Sequence, residues 1–144
     1  MNGRGYLLMT VKIYGSPCES FRKAKEWFIK NEIPYVERNI FKNPLTVHEL
    51  QEVLALTSEG TDEIIATRSK IYRDLNLDFD HLSLQELLNL IEKHPGLLRN
   101  PIIIDNKKLV IGYNEDDIRK FLPRKVRKRQ WLQLHMKQVS MVDG

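Results

Sequence analysis

The most reactive side chain in this sequence is its single cysteine, Cys18. It follows Val11-Lys12-Ile13-Tyr14, a short run of strand-forming residues stopped by Gly15-Ser16-Pro17, and it directly precedes a helical pattern that opens at Glu19. Unpaired backbone N–H groups and the helix dipole at such a position are expected to favour thiolate over thiol, and Arg22 and Lys23 one turn on are expected to add to the effect. A redox dithiol would need a second cysteine three residues later, where the chain has Phe21. Cys18 is therefore restricted to a sulfenic acid, a mixed disulfide or an intermolecular bridge. The plainer reading is an inert small residue in a turn.

Other catalytic signatures are missing from the sequence. It contains no glycine-rich phosphate loop, no nucleophile elbow and no Cys or His pair at metal-ligand spacing. His48, His81, His94 and His135 stand apart among polar neighbours, as surface histidines do, so no metal site and no cofactor are expected. Charge is more telling. Residues 118–142 hold eight cations, Arg119, Lys120, Arg124, Lys125, Arg127, Lys128, Arg129 and Lys137, and no acid. The net charge of +4 is thus a property of the tail, and residues 1–117 carry −3. Clustered cations of this kind suit nucleic acid or an acidic protein surface, and they also suit a solvated, partly disordered extension.

The elements that position these residues follow from periodicity. A helix over residues 19 to about 31 buries Phe21, Ala24, Trp27 and Phe28, and Pro34 to Asn39 forms a second strand, so the β-α-β order predicts a parallel pair. Thr46-Val47-His48-Glu49 and Ser83-Leu84-Gln85-Glu86 are capping boxes that open two amphipathic helices. Between them Ser58-Glu59-Gly60 looks flexible, Gly60 is a hinge or cap, and a weaker helical stretch runs from Thr61 to Leu75. Ile102-Ile103-Ile104 and Leu109-Val110-Ile111 flank a four-residue turn as an antiparallel hairpin. A last helix, from Glu115 to Phe121, ends at Pro123. The order describes an α/β fold with a mixed four-stranded sheet, flanking helices and a helical insertion.

Bulk properties agree with one domain. The 144 residues are 42% hydrophobic and 29% charged, enough for a single core. No apolar run approaches the roughly 20 residues of a membrane span. The first eight residues lack the apolar core of a secretory signal, and a lone cysteine closes no internal disulfide, so a reducing cytoplasm is expected.

Several separate segments, in order, resemble one known family. Ile13-Tyr14-Gly15-Ser16-Pro17-Cys18, Tyr35-Val36-Glu37-Arg38-Asn39-Ile40-Phe41, Gly60-Thr61-Asp62-Glu63-Ile64-Ile65, Thr67-Arg68-Ser69-Lys70, His94-Pro95-Gly96-Leu97-Leu98, Pro101-Ile102-Ile103-Ile104-Asp105 and Val110-Ile111-Gly112-Tyr113-Asn114-Glu115-Asp116 are similar to the Spx regulators of Gram-positive bacteria. The likeness runs from Met9 to about Arg129, which leaves residues 1–8 as an extension or a misplaced start, 9–123 as the folded domain and 124–144 as a basic tail.

The resemblance implies a thioredoxin-like fold of the ArsC class and a monomer that regulates transcription rather than catalysing a reaction. Its implied partner is the C-terminal domain of the RNA polymerase α subunit, bound through a surface that includes Gly60. Promoter DNA enters as part of the polymerase complex, with Arg124, Lys125, Arg127, Lys128 and Arg129 as candidate phosphate contacts. An AAA+ protease and its adaptor are further partners, and a stress response is the setting. Two residues depart from the family pattern. Phe21 replaces the second cysteine of its Cys-x-x-Cys switch, and Asn100, before the expected cis-proline Pro101, replaces an arginine for which Arg99 is a possible substitute. The second change weakens an anion site built on Arg68. The rival reading is an arsenate reductase coupled to glutathione or glutaredoxin, with Cys18 as nucleophile and Arg68 as anion clamp.

Overall fold

The computed structural model describes residues 10–143, with backbone only at positions 125, 130 and 136–143. The expected extension at residues 1–8 lies outside the described residues, as do the side chains of Lys125 and Lys137. Two units are distinguished, one up to Tyr113 and one from Asn114 onward.

In the first unit, strand β1 (Val11–Gly15) leads through a short turn to helix α1 (Glu19–Lys30) and back to β2 (Tyr35–Asn39), which pairs in parallel with β1. Helix α2 (Val47–Ala55), α3 (Thr61–Ile64), α4 (Lys70–Leu75) and α5 (Leu84–Lys93) follow, then strands β3 (Ile102–Ile104) and β4 (Leu109–Ile111). The sheet order is β2-β1-β3-β4, with both pairings of β3 antiparallel. This is the expected mixed four-stranded sheet, with the two inner strands carrying the most buried residues. Every side chain of β3 is buried, and in β1 only Lys12 is exposed, because an inner strand has no face left to water when helices cover the sheet.

Both capping boxes form. Thr46 accepts from the Glu49 amide while Glu49 accepts from the Thr46 amide, and Ser83 and Glu86 repeat the exchange. Tyr14, Leu50, Val53, Leu88, Ile91 and Ile102 are among the side chains of the core that α2 and α5 share with the sheet. Against this core sits a polar strut. Arg38 on β2 bonds the Glu49 carboxylate and donates from Nε to the Asn43 carbonyl at 2.9 Å, fixing the β2–α2 connection. Burial alone would raise the Glu49 pKa, but the Thr46 backbone N–H and the Arg38 guanidinium outweigh it and hold the carboxyl below its ordinary value. Burial, aided by the Glu49 charge, pushes the neighbouring Tyr14 phenol up to about 12.

The helical stretch expected from Thr61 to Leu75 is broken in two. Ile65 forms an isolated bridge with Leu98, the Ala66 amide donates to the Leu97 carbonyl at 2.7 Å and the Arg99 amide to the Ile64 carbonyl at 2.8 Å. These bonds take the chain out of helix after Ile64, and Ser69 caps a fresh start at α4.

In the second unit, the last helix of the domain is a tighter 3-10 turn, Asp117–Phe121, started by Asn114, whose Oδ1 accepts from the Asp116 and Asp117 amides. Pro123 stops it, as expected, and also begins another helix. Its carbonyl accepts from the Val126 and Arg127 amides at 2.9 and 3.1 Å. The basic tail, for which the sequence suggested no element of its own, is a helix: α6 (Arg124–Asp143), 20 residues long. Proline is well suited to a first helical turn, where its missing N–H goes unused.

Candidate functional site

The Cys18 loop joins β1 to α1. Cys18 is exposed and is the N-cap of α1, with Sγ accepting from the Phe21 amide at 3.4 Å. Arg22 and Lys23, expected to support a thiolate, make their own ion pairs. Arg22 bonds Glu26 at 2.8 Å and Lys23 bonds Glu19 at 3.3 Å, so each cation is engaged by a carboxylate one turn away on its own helix.

Asn100 comes from the loop before β3, and its peptide bond to Pro101 is cis, as expected. Its Nδ2 donates to the Ser16 carbonyl at 3.2 Å and to Ser16 Oγ at 2.7 Å, while its Oδ1 accepts from the Ser16 amide at 3.3 Å. A methyl group added at Gly15 would meet Asn100 Oδ1 at 2.2 Å and the Phe21 ring at 2.7 Å, which explains a glycine there. Asn100 thus fills the space beside the cysteine loop with a neutral amide that is already bonded. It supplies no charge for an anion. Arg99 does not take the place of the missing arginine, because its guanidinium donates to the Glu63 carbonyl at 3.3 Å, on α3. Arg68 is exposed in the turn after Ile65 and makes no hydrogen bond or ion pair with Cys18 or Asn100. The residues expected to form an anion site are not brought together by such bonds.

Gly60 is more definite. It is the N-cap of α3 with φ +78° and ψ −140°, a conformation natural only to glycine. The space that a side chain would enter is open: among the described residues, apart from its chain neighbours, nothing lies within 4 Å of an added Cβ. The glycine is required by the backbone turn, and the surface above it is free. The preceding segment, expected to be flexible, carries several hydrogen bonds in the structure. Ser58 Oγ donates to Glu63 Oε1 at 2.7 Å, the Ser58 amide donates to Glu63 Oε2 at 3.2 Å, and the Gly60 amide donates to Thr57 Oγ1 at 3.1 Å. Thr57 bonds Gly60 directly, and Glu63 links Ser58 and Arg99.

Next to α3 lies a hollow of about 360 Å³ that sequence reasoning missed. Ile65, Tyr72, Phe79 and Leu87 line it, with Asp62 and Asp80 among its polar groups. Tyr72 and Phe79 stack at 4.4 Å between ring centroids. Their aromatic character was visible in the sequence, but the break at Ile65 that turns α4 toward Phe79 was not. Among the described residues, no group of His, Cys, Asp and Glu is arranged to hold a metal ion, and no helix is long and apolar enough to cross a membrane.

A mixed sheet of this order, with a cysteine capping the first helix and a cis-proline leading into the third strand, defines a thioredoxin-like protein of the ArsC class. The ArsC family matches residues 14–121. Global transcriptional regulator Spx 2 of Oceanobacillus iheyensis is 61% identical over 136 residues, which cover 94% of this chain and 100% of that protein. Global transcriptional regulator Spx of Bacillus subtilis is 57% identical over 121 residues, 83% of this chain and 92% of the relative. An ArsC family related protein from Bacteroides fragilis superimposes with a TM-score of 0.70 at 24% identity, covering 79% of this chain and 98% of that one, and so shares the fold. The chain belongs to the ArsC family and, within it, to the Spx transcriptional regulators. Both relatives are named as regulators and not as enzymes.

Proposed function

We propose that this protein acts in the cytoplasm as a monomer that binds the C-terminal domain of the RNA polymerase α subunit, one to one, and redirects transcription under stress. The observation that carries this reading is the open surface at Gly60 beside the hollow lined by Tyr72 and Phe79. A bare backbone at a helix start allows a partner's main chain to come close, and a neighbouring apolar hollow flanked by carboxylates takes an apolar side chain with a cation next to it. The Ser58–Glu63 and Arg99–Glu63 bonds hold this surface ready, which lowers the ordering cost of association. On promoter DNA held by polymerase, Arg124, Lys125, Arg127, Lys128 and Arg129 contact phosphates. The neutral, already bonded Asn100 beside the exposed Cys18 makes arsenate reduction the weaker alternative.

A calorimetric titration of the isolated α-subunit domain tests the interface. Gly60→Ala and Gly60→Arg share the backbone strain of a positive φ, which costs about 1–3 kcal/mol of stability. They differ in reach. Gly60→Ala should bind within a few-fold of the parent, whereas Gly60→Arg, whose side chain enters the open space, should show no measurable binding while remaining folded by circular dichroism. Unchanged affinity of folded Gly60→Arg would move the interface elsewhere.

A further inference from the structure

Besides its cations, α6 carries two aromatic rings. Trp131 stacks on His135, with ring centroids 4.0 Å apart and planes inclined at 27°, and the residue remains 55% exposed. At 3.6 residues per turn, Arg124, Arg127, Lys128, Trp131 and His135 fall within about 100° of arc along roughly 16 Å of helix. Each of the five side chains is exposed. None of the ion pairs among the described residues engages Arg124, Arg127 or Lys128. The face therefore offers fixed positive charge followed by a two-ring stack with one open side.

We infer that α6 is a platform for single-stranded DNA, on which an unpaired base stacks on the open face of Trp131 while Arg124, Arg127 and Lys128 neutralise the phosphates beside it. Charge selects a polyanion, and the ring pair selects its form. A duplex shows base faces only at its ends, so a duplex bound by the cations leaves the indole face unused. An unpaired strand presents both phosphates and base faces, and aromatic stacking accepts any base. An acidic protein surface would satisfy the cations alone. The inference concerns α6 by itself and does not depend on the surface at Gly60.

The test uses the full chain. Trp27→Phe leaves Trp131 as the only indole of the two in the sequence. Titration with a 20-nucleotide thymidine strand should quench the Trp131 fluorescence to a plateau, and a 20-base-pair duplex closed by a hairpin should bind more weakly and quench little. With an otherwise wild-type chain and a labelled strand, Trp131→Ala should weaken binding about 5- to 150-fold, the equivalent of one lost stack, without changing the salt slope. Trp131→Phe should recover most of the affinity. Arg127→Gln with Lys128→Gln should do the reverse, flattening the salt slope by roughly 0.7 per cation while quenching at saturation persists. Because Trp131 is exposed and alanine favours helix, the alanine variant keeps its fold. Affinity of Trp131→Ala within twofold of the parent, or tighter binding of the closed duplex than of the strand, would overturn the proposal.

Discussion

The Cys18 loop and the Gly60 segment each cap a helix at the surface, yet they meet their surroundings in opposite ways. At Cys18 the space beside the loop is occupied by the chain itself. Asn100 reaches across 84 positions of sequence to make three hydrogen bonds with Ser16. At Gly60 the described chain stays clear, with nothing beyond its chain neighbours within 4 Å of an added Cβ and a hollow of about 360 Å³ nearby. Yet the vacant surface is also pinned, by Thr57, Ser58, Glu63 and Arg99. A site that fills its own space with neutral, satisfied groups is poorly placed to bind an anion. A rigid, open one is well placed to bind a partner. One fold thus carries a cysteine loop whose neighbouring space is filled by Asn100 and a glycine turn with open space above it, the surface proposed above for the partner.

The largest effect that sharpens this contrast comes from Asn100. Asn100→Ala removes all three bonds and leaves the part-buried Ser16 backbone groups without them, which should cost about 1–3 kcal/mol in a denaturant melt. Affinity for the α-subunit domain should change less than twofold, since the Gly60 segment is held by other bonds. A large loss of affinity would mean that the two regions are coupled and that the closed loop supports the platform.

A smaller effect is expected at the strut between β2 and α2. Glu49 has a folded-state pKa below its ordinary value, so its contribution to stability is present above the unfolded value and is lost as pH falls through the folded one. Glu49→Gln should therefore be less stable than the parent by about 1 kcal/mol at neutral pH. The gap should close in acid, where Glu49 itself is protonated. A gap that stayed constant from neutral to acid would assign the role to packing rather than charge.

The sequence made these regions legible to different depths, and the reason is range. Thr46 and Ser83 announce their helices because a capping box is complete within four residues. The strands around Ile13 and Ile103 are equally plain, since unbroken apolar runs between turns belong to the inside of a sheet. The break after Ile64 was hidden because its cause is Leu98, 33 positions away, and the role of Asn100 was hidden because its partner is Ser16. Two features were local and still misread. The pairs Arg22–Glu26 and Lys23–Glu19 stand at helical spacing, and Pro123, besides stopping one helix, starts the next.

The smallest expected effect belongs to the most reactive atom. Cys18 Sγ accepts one long bond, from the Phe21 amide at 3.4 Å, and sulfur is a weak acceptor, so Cys18→Ala should cost about 0.5 kcal/mol, the low end for losing an N-cap. The side chain is exposed, so no cavity is left behind. Cys18→Ser, whose hydroxyl is a better cap, should be as stable as the parent or slightly more so. Neither variant should alter affinity for the α-subunit domain under reducing conditions, because no hydrogen bond or ion pair links Cys18 to the Gly60 segment. Oxidant can act on the parent only through modification of Cys18 or a disulfide between two chains, since no second thiol exists. Diamide should therefore change the parent's mass or oligomeric state by electrospray and sizing measurements and leave Cys18→Ala untouched. If oxidant changed promoter output equally in the parent and in Cys18→Ala, the redox input would enter through another component and not through the cysteine loop.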